Sequence, residues 1–143
     1  MARTWLSIRV ELVSGRGENY WPRPGRILAA TRSHTFEQLG AAIDLAFARW
    51  DLAHLRLFTL ADQTPVCSFR TWEDTPDDAV DSDRTTLSRL TPGDQFAYVF
   101  DMGDDWTHLC TVADHRIDPL GLAAAQPTPY QGWGDLPDQY GRR

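Results

Sequence analysis

One segment of this chain repeats its apolar residues at helical spacing, and its neighbours do not. Phe36, Leu39, Ile43, Ala46, Phe47 and Trp50 recur every three or four positions, the stripe of a helix that buries one face. Thr35 stands just ahead of the stripe with Gln38 three residues on, which is a capping box. The pattern predicts a single helix over Phe36 to Trp50, so whatever else packs into the core must be strand.

The flanking segments carry the period of two that strands require. Leu6, Ile8, Val10 and Leu12 alternate with Ser7, Arg9 and Glu11, and "RILAAT" reads as a second strand pairing antiparallel with the first. "HLRLFTL", His54 to Leu60, is a third strand. Phe96, Tyr98 and Phe100, then Trp106, His108, Cys110 and Val112, alternate on either side of a turn and predict a hairpin. Between them Asp74, Asp77, Asp78, Asp81 and Asp83 mark an acidic excursion (73–84), read as a solvated loop that Val66, Phe69 and Trp72 dock in part. "TTLSRL" reads as a short helical turn. From Asp118 the chain (118–143) is rich in Pro and Gly and is expected to be irregular, with Tyr130, Trp133 and Tyr140 packing it on the body. The fold class is α+β, a mostly antiparallel sheet crossed by one main helix, and the first four elements resemble a β-grasp (ubiquitin-like) layout. With 143 residues and no internal repeat, one domain (1–143) is expected.

Composition narrows the function classes. The net charge is −6 and the sequence pI about 5.0, so the overall field repels nucleic acid and anionic membranes. All 14 basic residues are arginine. No apolar run approaches the ~20 residues of a membrane helix, and "MARTWLSIRVELV" lacks a signal peptide's apolar run. Cys67 and Cys110 form no CxxC pair and read as buried free thiols, which fits a reducing, cytoplasmic setting.

The hairpin turn holds the chemistry-bearing residues. Asp101, Asp104 and Asp105 offer carboxylates, and His108, sharing a strand face with Trp106 and Cys110, offers an imidazole; together they could hold a divalent ion, or one carboxylate with the histidine could act as a general acid/base pair. The competing reading is turn chemistry: Gly103 supplies positive φ, the aspartates accept backbone N–H groups, and His108 donates to one of them. DxGDDWxH matches no established metal-ligand spacing, which favours the turn. His34 is expected as a solvent-facing turn histidine, and Cys110 and His115 fall on opposite strand faces. Trp21, Tyr130, Trp133 and Tyr140 either line a recognition groove or fasten the Pro/Gly-rich loops to the sheet, and the second is favoured.

"TFEQLGAAIDLAFARWDLAHLRLF", "TLSRLTPGDQFAYVFDMGDDWTH" and the closing "GWGDLPDQYG" together resemble the plasmid pRiA ORF-like family, some members of which are labelled insertion-element passenger proteins of TnpR type. The resemblance runs from about Ile8 to Tyr140 and is most specific over Tyr98 to His108. It implies no established activity. The resolvase that the TnpR label suggests needs a serine beside clustered arginines and a basic helical DNA-binding module; neither Ser7 nor Ser14 has that setting. The leading expectation is a non-enzymatic binding or accessory protein of mobile elements with a protein partner and no cofactor. A divalent-metal module or metal-dependent enzyme on the hairpin is the alternative, and a nucleic-acid-associated protein the third.

Overall fold

A computed structural model describes residues 5–115, 117 and 125–142. Strand β1 (Trp5–Gly15) opens the chain, and Leu6, Ile8, Val10 and Leu12 are buried on one of its faces, as the alternation requires. A tight turn at Arg16 and Gly17 leads to β2 (Glu18–Asn19), and β3 (Gly25–Thr31) returns antiparallel to β1 with Ile8 opposite Leu28. Helix α1 covers Phe36–Ala46. Its capping box is made: Gln38 N–H donates to Thr35 Oγ1 at 3.1 Å, and Thr35 N–H donates to Gln38 Oε1 at 2.8 Å.

The helix stops four residues short of the expected Trp50. Ala48 N–H donates to Leu45 O and Arg49 N–H to Asp44 O, a Schellman closure with Ala48 at φ 59. That break lets Phe47 stay in the core, edge-on to His108 at 5.0 Å, while Trp50 turns outward.

Six further strands follow: β4 (Arg56–Thr59), β5 (Pro65–Cys67), β6 (Val80–Asp81), β7 (Gln95–Phe100), β8 (Trp106–Val112) and β9 (Thr128–Trp133). The sheet order is β6-β5-β4-β7-β8-β1-β3-β9, with β2 appended to β1. Only β5·β6 is parallel among the described pairs. Both neighbours of β1 are antiparallel to it, so the parallel central pair of a β-grasp sheet is missing and that layout does not hold. The α+β reading stands in its general form, a large mostly antiparallel sheet with one helix. Phe36 joins the layers, packing edge-on to Phe58 at 5.2 Å and Phe96 at 6.3 Å.

Two expected loops are more ordered than their composition suggests. Within the acidic excursion, β6 pairs with β5; Asp81 accepts from Phe69 N–H, and Asp83 takes Arg70 and the Ser68 hydroxyl. In the tail, β9 pairs with β3, with Pro129 on the outermost strand, where its missing N–H removes no inner ladder bond, and a register shift between Ile27 and Leu28 absorbs the irregularity. Residues 118–124 of that tail lie outside the described residues. His34 corrects its expectation too. It is 3% exposed, accepts Thr31 N–H on Nδ1 at 3.0 Å and stands edge-on to Trp5, because the bridge between Thr35 and Thr86 draws residues 86–87 over it.

Candidate functional site

The hairpin turn is built as a turn. Asp101 Oδ1 accepts Gly103 N–H at 2.9 Å and Asp104 N–H at 3.3 Å, and Asp105 N–H returns to Asp101 O at 2.7 Å. Left-handed backbone falls on Asp101 (φ 69) and Asp105 (φ 52), and not on Gly103 as expected. Gly103 is placed instead by proximity, since a Cβ there would meet Asp101 Oδ1 at 3.3 Å. Asp104 faces Arg16 at 3.5 Å, and with Asp105 it borders a polar cleft against the Ser14–Asn19 hairpin end.

His108 does not join them. It is buried opposite Tyr98, donates Nδ1–H to Tyr98 O at 3.0 Å, and accepts from Arg49 Nη2 on Nε2 at 3.3 Å, which fixes its tautomer. Burial first, and then the Arg49 charge, push its pKa down to about 3. Both ring nitrogens are occupied, so His108 is neither a base for the turn aspartates nor a fourth donor with them. Among the described residues no group of three or more His, Cys, Asp or Glu is arranged to hold a metal ion. Trp106, the next candidate, is buried with the Arg49 guanidinium 4.5 Å from its ring.

What Asp101 meets is a histidine that sequence reasoning missed. His54 Nδ1 lies 3.5 Å from Asp101 Oδ2, and its Nε2 lies 2.6 Å from the Tyr140 hydroxyl oxygen and 3.5 Å from Asp51 Oδ2. Tyr140 gives its one proton to Asp51 at 2.7 Å, so His54 Nε2 is the donor in the short bond. That bond to Asp51 pushes the Tyr140 pKa up to about 12 and holds Asp51 low. Asp101 from the turn and Tyr140 from the tail, read as members of two separate sets, therefore meet through His54.

His54 also walls a half-open pocket of about 310 Å³, together with Glu37, Leu52, Leu55, Arg56 and Ser68. A polar chain runs from the half-buried Glu37 and Arg56 on its lining down to buried Asp44: Arg56 Nε donates to Asp44 and Arg56 Nη1 to Glu37, each at 2.6 Å, while Tyr98 donates to Asp44 at 2.7 Å and Ser82 to Glu37 at 2.8 Å. Burial lifts the Asp44 pKa to about 6 against the pull of Arg56. A carboxylate as deep as Asp44 is retained only with its partners, so the chain ties α1 to β4 and β7 beneath the pocket. Leu52 (43% exposed) leaves apolar surface on its wall, and exposed Phe69 (48%) falls in the chain between the lining residues Ser68 and Thr71.

The sequence held one signal for this site. Asp44 lies four residues after Gly40 and eight after Phe36, on the apolar stripe, where a carboxylate must find a buried partner.

The four aromatic candidates do not form one groove. Trp133 donates Nε1–H to Arg23 O and lies under the Arg9 guanidinium at 4.3 Å; Tyr130 shares a 2.6 Å hydrogen bond with Ser7 Oγ. Trp21 is 84% exposed with Arg23 5.6 Å from its ring, and Tyr140 sits apart at His54.

The sequence pattern from β1 through Asp138 as a whole matches one family description, plasmid pRiA4b ORF-3-like protein, over residues 6–138. The chain belongs to the plasmid pRiA4b ORF-3-like family. The fold of this family member is similar to the crystal structure of a protein of unknown function, MM3350, from Methanosarcina mazei Go1, with a TM-score of 0.73 at 17% identity, covering 92% of this chain and 71% of that one. No curated protein matches the chain. The described residues contain no helix long and apolar enough to cross a membrane.

Proposed function

We propose that this member of the plasmid pRiA4b ORF-3-like family is a small non-enzymatic binding protein that takes a protein partner at the His54 pocket. The observation that carries this reading is the pocket's composition: a hydrogen-bonded polar pair of Glu37 and Arg56, walls from Leu52 and Leu55, and exposed apolar surface on Leu52, with exposed Phe69 next to Ser68 in the chain. That is the pattern of an anchor site, apolar contact with a few fixed polar groups. The net charge of −6 favours a partner segment that pairs an apolar anchor with basic residues. An accessory, cytoplasmic role on a mobile element is in keeping with the plasmid description of the family. The resolvase activity suggested by the TnpR label gains no support from Ser7, which is buried and bonded to Tyr130. The hairpin offers a metal no converging donor set among the described residues.

Selection from a displayed random peptide library tests the proposal, with wild type compared against a Leu52→Asp/Phe69→Ser double variant. Both positions are exposed, so the fold is expected to survive. Wild type is expected to enrich peptides with an apolar residue next to a basic one, and the variant to lose them. Equal enrichment by both proteins would remove the pocket from the account.

A further inference from the structure

Arg49 is 3% exposed, and its charge is not balanced by any ion pair among the described residues. Its Nη1 donates to Phe47 O at 2.9 Å and its Nη2 to His108 Nε2 at 3.3 Å, two neutral acceptors. Asp44, the carboxylate that acts on it most strongly, is already bonded to Arg56 and Tyr98. Among the described residues, two side-chain N–H donors buried in this cluster have no hydrogen-bond partner: Arg49 Nε and Trp106 Nε1. The guanidinium stands 4.5 Å from the Trp106 ring centre, so both orphaned donors belong to one stacked pair. Tyr20 stacks on the same indole at 6.3 Å, and a Cβ on Gly15 would run into the ring, which closes the pair off from solvent.

Buried donors without partners are rare in folded proteins, and a buried guanidinium that no carboxylate contacts directly is rarer. Because the guanidinium lies against the indole, one small acceptor seated beside the pair is the simplest group that could satisfy both N–H donors. A water would also bring two protons needing acceptors, whereas a monoatomic anion brings none and supplies the missing charge. The rings of Phe47, Trp106 and neutral His108 line the guanidinium, and Asp44, Tyr98 and Tyr20 are the other groups whose field reaches it, Asp44 already being bonded to Arg56 and Tyr98.

We propose that Arg49 Nε and Trp106 Nε1 together bind a buried halide-sized anion, chloride under ordinary conditions, between the end of α1 and the start of β8. The site is separate from the His54 pocket and does not depend on the binding function proposed above.

The probe is bromide. Crystals grown or soaked in sodium bromide are expected to show an anomalous peak within hydrogen-bond distance of both nitrogens, and Tm at constant ionic strength is expected to be a few degrees higher in bromide or chloride than in gluconate. Arg49→Met should abolish both effects. Should that variant fail to fold, Trp106→Phe keeps a ring in place, deletes one donor, and should at least halve the halide-dependent Tm shift. A wild-type crystal with no bromide at these atoms, or with a water there and no halide dependence of Tm, would overturn the proposal.

Discussion

Asp44 and His108 are buried ionisable groups whose titrations pull stability in opposite directions over the same pH range. The folded pKa of Asp44 is raised to about 6 from its usual 3.8, so the fold takes up a proton before the unfolded chain does, and stability rises as pH falls from about 6 towards 4. The folded pKa of His108 is lowered to about 3 from 6.5, so the unfolded chain takes up the proton first, and stability falls as pH drops from 6.5 towards 3. The expected result for wild type is a shallow Tm profile between pH 4 and 6. Asp44→Asn should expose the histidine slope, giving a steeper loss of Tm on acidification, and His108→Gln should make Tm rise over the same interval. Thermal melts at half-unit pH steps, compared by slope rather than by absolute Tm, check both. The carboxylates held low by their hydrogen-bond partners, Asp51, Asp62 and Asp138, act below this window.

At the scale of elements, the end of α1 is the clearest target for substitution. Ala48 occupies the left-handed position of a Schellman closure, where glycine carries no Cβ penalty. Ala48→Gly is expected to stabilise the fold by about 0.5–1 kcal/mol, the relief of strain exceeding the added chain entropy; a chemical denaturation curve measures it, and a destabilised variant would contradict the reading. The same residue explains why the helix was legible at one end only. Thr35 and Gln38 announce its start, but its stop is written with an alanine, and the apolar spacing continues through Phe47 and Trp50 although those residues serve a different turn of chain. Strand β9 was illegible for a related reason: Pro129 and Gly132 read as loop residues, and only a position at the sheet edge makes them compatible with pairing. The two strands of the hairpin were legible from their alternation, although the left-handed positions of the turn fall on Asp101 and Asp105 and His108 turns to Tyr98 and Arg49. Its aspartates were legible as a turn, whereas His54 was not legible as their partner, because that contact crosses from residue 54 to 101 to 140 and leaves no local spacing to read.

On the scale of the whole molecule, the C-terminal segment is bound into the candidate site. Buried Gln139 accepts the N–H groups of Trp50 and Asp51 on Oε1, at 2.9 and 3.0 Å, and returns a bond from Nε2 to Asp51 O at 2.8 Å. Gln139→Ala strands those backbone groups and is expected to cost about 1–3 kcal/mol, with faster amide exchange at Trp50 and Asp51. Tyr140→Phe, which frees His54 and Asp51 without unpairing buried backbone, should cost less and leave those amides protected. The segment that contains 50–56 is thus held by β7's turn on one side and by the tail on the other, and it is this segment that walls the pocket. The pocket is where the partner is proposed to bind. Titrating ¹⁵N-labelled protein with a library-selected peptide and following backbone amide shifts tests it most directly. Shifts concentrated at Glu37, Leu52 to Arg56 and Ser68 to Thr71 are the predicted result; shifts concentrated at Gly103 to Asp105 or along β9, with residues 52–56 unmoved, would contradict it.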